Sequence, residues 1–240
     1  MNRAAFDPSF KLASYNIHKG VGLDRRRDPE RILSVLHEID ADIIALQEAD
    51  RRIGERASVL PRAEIDDTPW RLVEVAKRPR SIGWHGNALL VRREMDVVAG
   101  DPLDLPTLEP RGAACGELRV EGWPLRVIGT HLDLSGLRRR DQIRSLLGFV
   151  ADCAGDLPTV IMGDFNQWGL RTGAMREFSD GWQIVTPGRS YPSRQPVASL
   201  DRIVASRHWR CVSAEVHHTA LSSVASDHLP VTARLKLLTD

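Results

Sequence analysis

"PTVIMGDFN", Pro158 to Asn166, decides how this chain is read. Thr159–Met162 has the β-branched, apolar content of a short buried strand, yet the chain stops it with glycine, aspartate and asparagine. All three favour turns for local backbone reasons, so a turn is one explanation. A site at the end of a strand is the other.

Outward from this stretch, short apolar segments bounded by turn residues recur. They predict strands at Lys11–Ile17, Asp42–Leu46, Trp70–Val75, Asn87–Arg92, Met95–Ala99, Cys115–Val120, Leu125–Thr130, Leu200–Ala205, Cys211–Val216 and Pro230–Leu237. Helices are few. Asp28 can cap and Pro29 fits a first helical position, after which Ile32, Val35, Leu36 and Ile39 recur on one face. A second helix is expected over Leu137–Cys153 with Ile143, Leu146, Leu147 and Val150 as its buried stripe, and a weaker one near Gly169–Phe178. Many strands with few helices exclude a regularly alternating barrel and favour an α+β arrangement, two packed β-sheets with helices outside.

The 240 residues, 42% of them hydrophobic, are enough for one large domain, and no Gly/Ser/Pro linker divides them. Cys115, Cys153 and Cys211 are odd in number and widely spaced, which suits reduced thiols. The amino-terminal residues have neither a signal-peptide core nor a membrane span, so the expected location is the cytoplasm and the expected state a monomer. A net charge of +1 lacks the basic excess of a protein devoted to duplex nucleic acid. Arginines nonetheless cluster in "DRRRDPER" (24–31), "ADRRIGER" (49–56) and "LRRRDQIR" (137–144), as solvated faces or, if they converge, as a receiver for an anionic substrate.

The other strand ends repeat the pattern of Asp164 and Asn166. Asn16 and His18 follow one strand, Glu48 another, His131 and Asp133 a third; Asp201 opens a strand, and Asp227 and His228 precede one. Each has a plain explanation alone, as a turn, a solvated edge, a hydrogen-bonded core histidine or a cap. Repetition argues that they meet, because charges beside a core are costly unless paired or metal-bound. Glu, Asp and Asn oxygens form the hard ligand set that Mg²⁺ prefers, often together with a phosphate.

The ordered set "YNIHKG" (15–20), "LQE" (46–48), "HGNALL" (85–90), "RGAA" (111–114), "GTHLDL" (129–134), "GDFN", "LDRI" (200–203) and "SDHLPV" (226–231) resembles the endonuclease/exonuclease/phosphatase, or DNase I-like, superfamily over nearly the whole chain. The resemblance implies a four-layer αββα sandwich of two mainly antiparallel sheets, with the site at one edge. It implies phosphoester hydrolysis by in-line attack of water. Glu48 is then the principal metal ligand, with Asn16 beside it holding metal or phosphate and Asp227 a ligand from the other side. Asp164 orients or deprotonates the water, Asn166 donates to a non-bridging oxygen, and His131 stabilises developing charge or assists the leaving oxygen. Asp201 and His228 form an acid–imidazole pair, unless Asp201 pairs instead with Arg202 or Arg194. Asn87 and Arg111 are expected to bind substrate.

His18 stands where many abasic-site endonucleases carry aspartate. It either contacts substrate phosphate or broadens the metal preference from Mg²⁺ toward Mn²⁺. The substrate is open between a nucleic acid, single-stranded or damaged, with Arg111 and Arg138–Arg140 holding flanking phosphates, and a small or lipid-derived phosphoester. Trp84, Trp123, Trp168 and Trp182 could line a pocket, though tryptophans more often pack in cores or rims. A non-catalytic binding protein would be expected to lack one of Glu48, Asp164, Asn166 or His228, and this chain has all four.

Overall fold

Strand alternation sorts the apolar residues into separate layers. In a strand, successive side chains face opposite sides, and in β2 (Ile43–Gln47) Ile43 and Ala45 join one cluster while Ile44 and Leu46 join another. The computed structural model describes residues 8–51, 54–107, 111–169, 172–179 and 181–238. In chain order the strands are β1 (Ser9–Asn16), β2, β3 (Trp70–Leu72), β4 (Ala88–Arg92), β5 (Asp96–Asp104), β6 (Gly112–Val120), β7 (Trp123–His131), β8 (Thr159–Asp164), β9 (Trp182–Val185), β10 (Asp201–Ser206), β11 (Trp209–Val216) and β12 (Val231–Leu237). The helices are α1 (Pro29–Ile39), α2 (Arg62–Asp66), α3 (Gly136–Asp152) and α4 (Ser222–Ala225).

Two six-stranded sheets result, ordered β11-β12-β1-β2-β4-β3 and β5-β6-β7-β8-β10-β9. Leu12, Leu89, Val127, Met162, Ile203 and Leu235 fill the space between them. Outside the first sheet, Ala13, Ile44 and Leu90 pack on Ile32, Val35 and Leu36 of α1. Outside the second, Ile128, Ile161 and Val204 pack on Ile143 and Leu146 of α3. These are the four layers of the αββα sandwich. The sheets approach closely at Gly129, where a Cβ would lie 3.1 Å from that of Ala45.

Each sheet contains one parallel pair, β1–β2 and β7–β8, among otherwise antiparallel neighbours. A parallel pair needs a crossover, and α1 and α3 supply the two. The Asp28 carboxylate accepts the Arg31 N–H at 3.0 Å to start α1. Leu147 and Val150 of α3 are only half-buried, while Gln142 is fully buried.

Several boundaries differ from the sequence reading. β3 ends at Leu72, although Val73 still donates to the Leu89 carbonyl at 2.9 Å. β5 runs on to Asp104 through Pro102, which is tolerated because β5 is an edge strand. β9, short and with polar neighbours, gives no strand signal of its own. The weak helix expected near Gly169–Phe178 falls partly outside the described residues, and its described part is a 3₁₀ turn at Gly173–Glu177. Among the described residues no helix is long and apolar enough to cross a membrane.

Candidate active site

The two crossovers bring four strand ends to one edge. In the first sheet Asn16 pairs in register with Gln47, one residue before Glu48. In the second, His131 and Asp201 both pair in register with Asp164. Val231 of β12 pairs with Ser14, which carries the preceding residues Ser226–His228 toward the same edge.

The GDFN turn is built for this position. Gly163 has φ 157°, and a Cβ there would lie 1.8 Å from the Thr130 carbonyl oxygen, so no other residue fits without moving β7. Asn166 has φ 50°, a left-handed conformation that asparagine tolerates. Its backbone N–H donates to Asp164 Oδ1 at 2.9 Å and its side-chain Nδ2 to the Leu132 carbonyl at 2.9 Å. The stretch is therefore both a turn and the seat of a buried carboxylate.

Asp164 Oδ2 is the focus of the cluster. Asn16 Nδ2 donates to it at 3.1 Å, and His131 Nε2 and His228 Nε2 lie 3.4 and 3.6 Å away. His228 Nδ1 is 2.8 Å from Asp201 Oδ2, which also accepts from Ser190 Oγ at 2.5 Å. Asp164, Asp201, His131 and His228 are all buried. Burial opposes the charge on His228, but Asp201, with Asp164 and Asp227 behind it, outweighs burial and raises its pKa to about 10. His131 behaves oppositely. Burial pushes it down to about 4, with Arg111 adding to the effect against the pull of Asp164 and Glu48. At neutral pH one imidazole is thus a cation and the other neutral.

The Glu48 side is more open. Glu48 has φ 56° and its carboxylate is in contact with the Lys19 ammonium, whose own residue has φ 57°. Burial works against the Glu48 charge, yet His131 and Lys19 hold its pKa below the ordinary value. A carboxylate that already holds a cation, one residue beyond the register partner of Asn16, is a donor suited to a hard divalent ion. His18 lies beside it: its N–H donates to Asn16 Oδ1 at 3.1 Å, its Nδ1 meets the Val21 carbonyl at 3.0 Å, and the same nitrogen is 3.8 Å from Asp227 Oδ1. A second possible cation position is the group Asp164, Asp201 and His228, whose ligand atoms lie within 4.8 Å of one another and where Asp201 Oδ1 is buried without a hydrogen-bond partner.

The other residues expected to bind substrate have defined surroundings. Asn87 is fully buried and its amide donates to the carbonyls of Gly112 and Trp84, at 2.9 and 3.3 Å. These bonds tie the start of β4 to β6, while Asn87 Oδ1 is buried without a hydrogen-bond partner. Three of the four arginines of α3 have protein partners: Arg139 braces the carbonyls of Asp133 and Leu134 and the Gln167 side chain, and Arg140 and Arg144 pair with Glu177. Arg111 is half-buried and lies close enough to His131 to depress its pKa. Arg202 points away from Asp201, as alternation requires, and its buried guanidinium holds the Gly169 and Ser199 carbonyls at 3.0 and 3.1 Å.

No sequence signal marks the supports of His228. Besides Ser190, the Tyr191 ring lies against its imidazole, centroids 4.8 Å apart. Ser226 Oγ donates to the Asn16 carbonyl at 2.7 Å and accepts the His228 N–H at 3.3 Å, which fixes the segment before β12 to the end of β1.

Residues 13–228 match the family described as "Endonuclease/Exonuclease/phosphatase family". The chain is 25% identical to the Escherichia coli (strain K12) protein described as "Uncharacterized protein YbhP", over 95% of this chain and 97% of that one. Among solved structures, Danio rerio TDP2 complexed with single-strand DNA product is similar at TM-score 0.72 and 16% identity, covering 95% of this chain and 99% of that one. The Bacteroides thetaiotaomicron mannosyl-6-phosphatase Bt3783 is similar at TM-score 0.71 and 15% identity, covering 94% and 98%.

Proposed function

Because the chain belongs to the endonuclease/exonuclease/phosphatase family, we propose that it hydrolyses a phosphodiester by direct attack of water, with a nucleic-acid strand as substrate. The observation that carries this reading is the convergence of Asn16, His131 and His228 on one oxygen of the buried Asp164. A carboxylate so oriented is suited to align the attacking water and accept its proton. His228, kept as an imidazolium by Asp201, stabilises the charge gathering on the non-bridging phosphate oxygens. Of the two N–H groups on the Asn166 amide, one is spent on Leu132, and the other serves the phosphate. Neutral His131 adds a hydrogen bond on the opposite side, toward the leaving oxygen.

Glu48, Asn16 and Asp227 would hold the divalent ion, Mg²⁺ or Mn²⁺, which when bound neutralises charge on the phosphate as a Lewis acid. Arg111, beside His131, provides a cation at the cleft edge for a flanking phosphate.

One observation favours a second reading. Leu134, Leu137 and Trp168 are 75%, 74% and 65% exposed, on the loop after β7, the first turn of α3 and the loop after β8, which Arg139 fastens together next to His131 and Asn166. Such an apolar rim suits a lipid-derived phosphoester. Turnover of oligothymidylate, duplex DNA, RNA, inositol phosphates and a short-chain phospholipid, each with Mg²⁺, Mn²⁺ or EDTA, tests both. We expect the single strand to be cleaved best, EDTA to abolish cleavage and H228A to lack it. A phospholipid turned over faster than any nucleic acid would select the second reading.

A further inference from the structure

The "HKG" turn after β1 carries a cation that the proposed chemistry leaves unused. Its backbone is left-handed at three successive residues, with φ 46° at His18, 57° at Lys19 and 69° at Gly20. A Cβ makes that conformation costly at the first two. Hydrogen bonds hold it in place. The Gly20 N–H donates to the Ile17 carbonyl at 2.7 Å, the Val21 N–H to the His18 carbonyl at 3.0 Å and the Asp28 N–H to the Gly20 carbonyl at 2.8 Å. Arg27 Nε donates to the Lys19 carbonyl at 3.0 Å.

The main chain is thus fixed while the side chain is not. The Lys19 ammonium contacts Glu48 Oε2, and the two side chains are 29% and 24% exposed. Glu48 is left-handed as well, at φ 56°. An ion pair open to solvent adds little to stability, so stability alone does not explain left-handed backbone at both of its ends. Such conformations persist where function uses them.

The residue type points the same way. Arginine would clasp the carboxylate with two parallel N–H groups, whereas lysine offers a compact point charge on a flexible stem. Only four of the chain's 33 Lys and Arg residues are lysine, at 11, 19, 77 and 236. A lysine on Glu48 therefore departs from the general usage, and it suits a cation that must let go.

The anions around it limit where a released ammonium could go. Asp164 is buried, and its Oδ2 already accepts from Asn16 and faces two imidazoles. Asp227 Oδ1 lies 3.8 Å from His18 Nδ1 and is one of the groups assigned to the divalent ion. The phosphate of the substrate, brought to Glu48 by the same ion, is the anion left for Lys19.

We propose that Lys19 is a phosphate-binding residue, which holds Glu48 until a divalent ion takes that carboxylate and then turns to a non-bridging oxygen of the substrate phosphate. The assignment deepens the phosphoesterase reading and rests on it for the ion and the substrate. Its consequence is coupling: ion and phosphate each bind better with the other present, because the phosphate draws off the ion's competitor.

Calorimetric titration of the intact protein, with MgCl₂ alone and then with inorganic phosphate at saturating Mg²⁺, reads both halves without catalysis. In MgCl₂ alone, affinity should rise about threefold in K19Q and fall about threefold in K19R, whose guanidinium holds Glu48 more firmly. At saturating Mg²⁺, inorganic phosphate should bind K19Q about tenfold more weakly than wild type. Asparagine favours left-handed backbone, so K19N repeats the K19Q titrations without added cost to the turn.

Phosphate binding undiminished in K19Q and K19N overturns the proposal and leaves Lys19 a competitor of the ion alone. Equal Mg²⁺ affinities in wild type, K19Q and K19R overturn it in favour of a purely structural pair. A wild-type protein that binds no phosphate in Mg²⁺ overturns it too. Turnover of bis(4-nitrophenyl) phosphate and the other phosphoesters separates this assignment from the reading beneath it. A protein that hydrolyses them but departs from the expected titrations loses only the role of Lys19. A protein that hydrolyses none but follows the titrations loses the phosphoesterase reading and keeps Lys19 as a phosphate ligand.

Discussion

The two sheets end at the same edge but prepare it differently. At the second sheet, Asp164, His131 and Asp201 are buried, and their contacts are made within the protein, down to the Ser190 hydroxyl on Asp201. At the first sheet, Glu48 is only partly covered and its partner is the flexible Lys19 side chain, 29% exposed. On the proposed function, the difference separates two tasks. Groups that move protons need fixed geometry before substrate arrives, whereas a carboxylate that exchanges cations must remain reachable. His228 joins the two, because its chain segment belongs to the first sheet and its imidazole is held by the second.

The largest expected effects fall on the fixed half. D164N and H228A should each lower turnover by about 10³-fold or more while circular dichroism stays native. D201N combined with H228A should cost little more than the worse single change, because the pair acts as a unit. Fully additive losses would separate Asp201 from His228.

The exchangeable half should respond in cation affinity. E48Q keeps the side-chain shape, and calorimetric titration should show Mg²⁺ binding weakened about tenfold or more, with turnover reduced about 10²-fold. K19Q should tighten Mg²⁺ binding by removing a competing cation. If D201N weakens the ion while E48Q does not, the cation belongs to the Asp164–Asp201–His228 group.

The two buried histidines should give opposite pH dependences of stability in EDTA. His228 has a pKa near 10 in the folded chain against an ordinary 6.5. Its contribution is complete below pH 6.5 and is lost as pH rises toward 10, by an amount on the order of a few kcal/mol. His131 has a folded pKa near 4, so the unfolded chain takes up its proton first, and stability falls as pH drops from 6.5 to 4. Urea denaturation from pH 4 to 10 should show the alkaline slope reduced in H228N and the acid slope reduced in H131N. The smallest effect is expected at the surface: R140A breaks a pair with Glu177 whose arginine side is 42% exposed, and should change stability by about 1 kcal/mol or less.

Much of the fold was legible because its signals are local. Ile32, Val35, Leu36 and Ile39 mark the face of α1, and Thr159–Met162 marks β8, by periodicity and β-branching alone. β9 was not legible, because four residues with polar neighbours become a strand only when β10 offers its edge. Asp164, Asp201 and His228 could be picked out as chemistry-bearing groups at strand ends, but Ser190, Tyr191 and Ser226 could not. A serine or tyrosine in a loop carries no mark of the partner it will meet.

The sequence by itself determined the layers and the residue types at their edge, since side-chain alternation and turn chemistry act over a few neighbouring positions. Only the tertiary structure decided which imidazole is charged. His131 and His228 have the same intrinsic chemistry, and both are buried. Asp201, 27 residues before His228 in the chain, is brought to 2.8 Å from its ring by the pairing of β10 with β8 and of β12 with β1. His131 shares its Asp164 oxygen, at 3.4 Å, with Asn16 and His228, so burial wins there, while at His228 the field of a close carboxylate outweighs it.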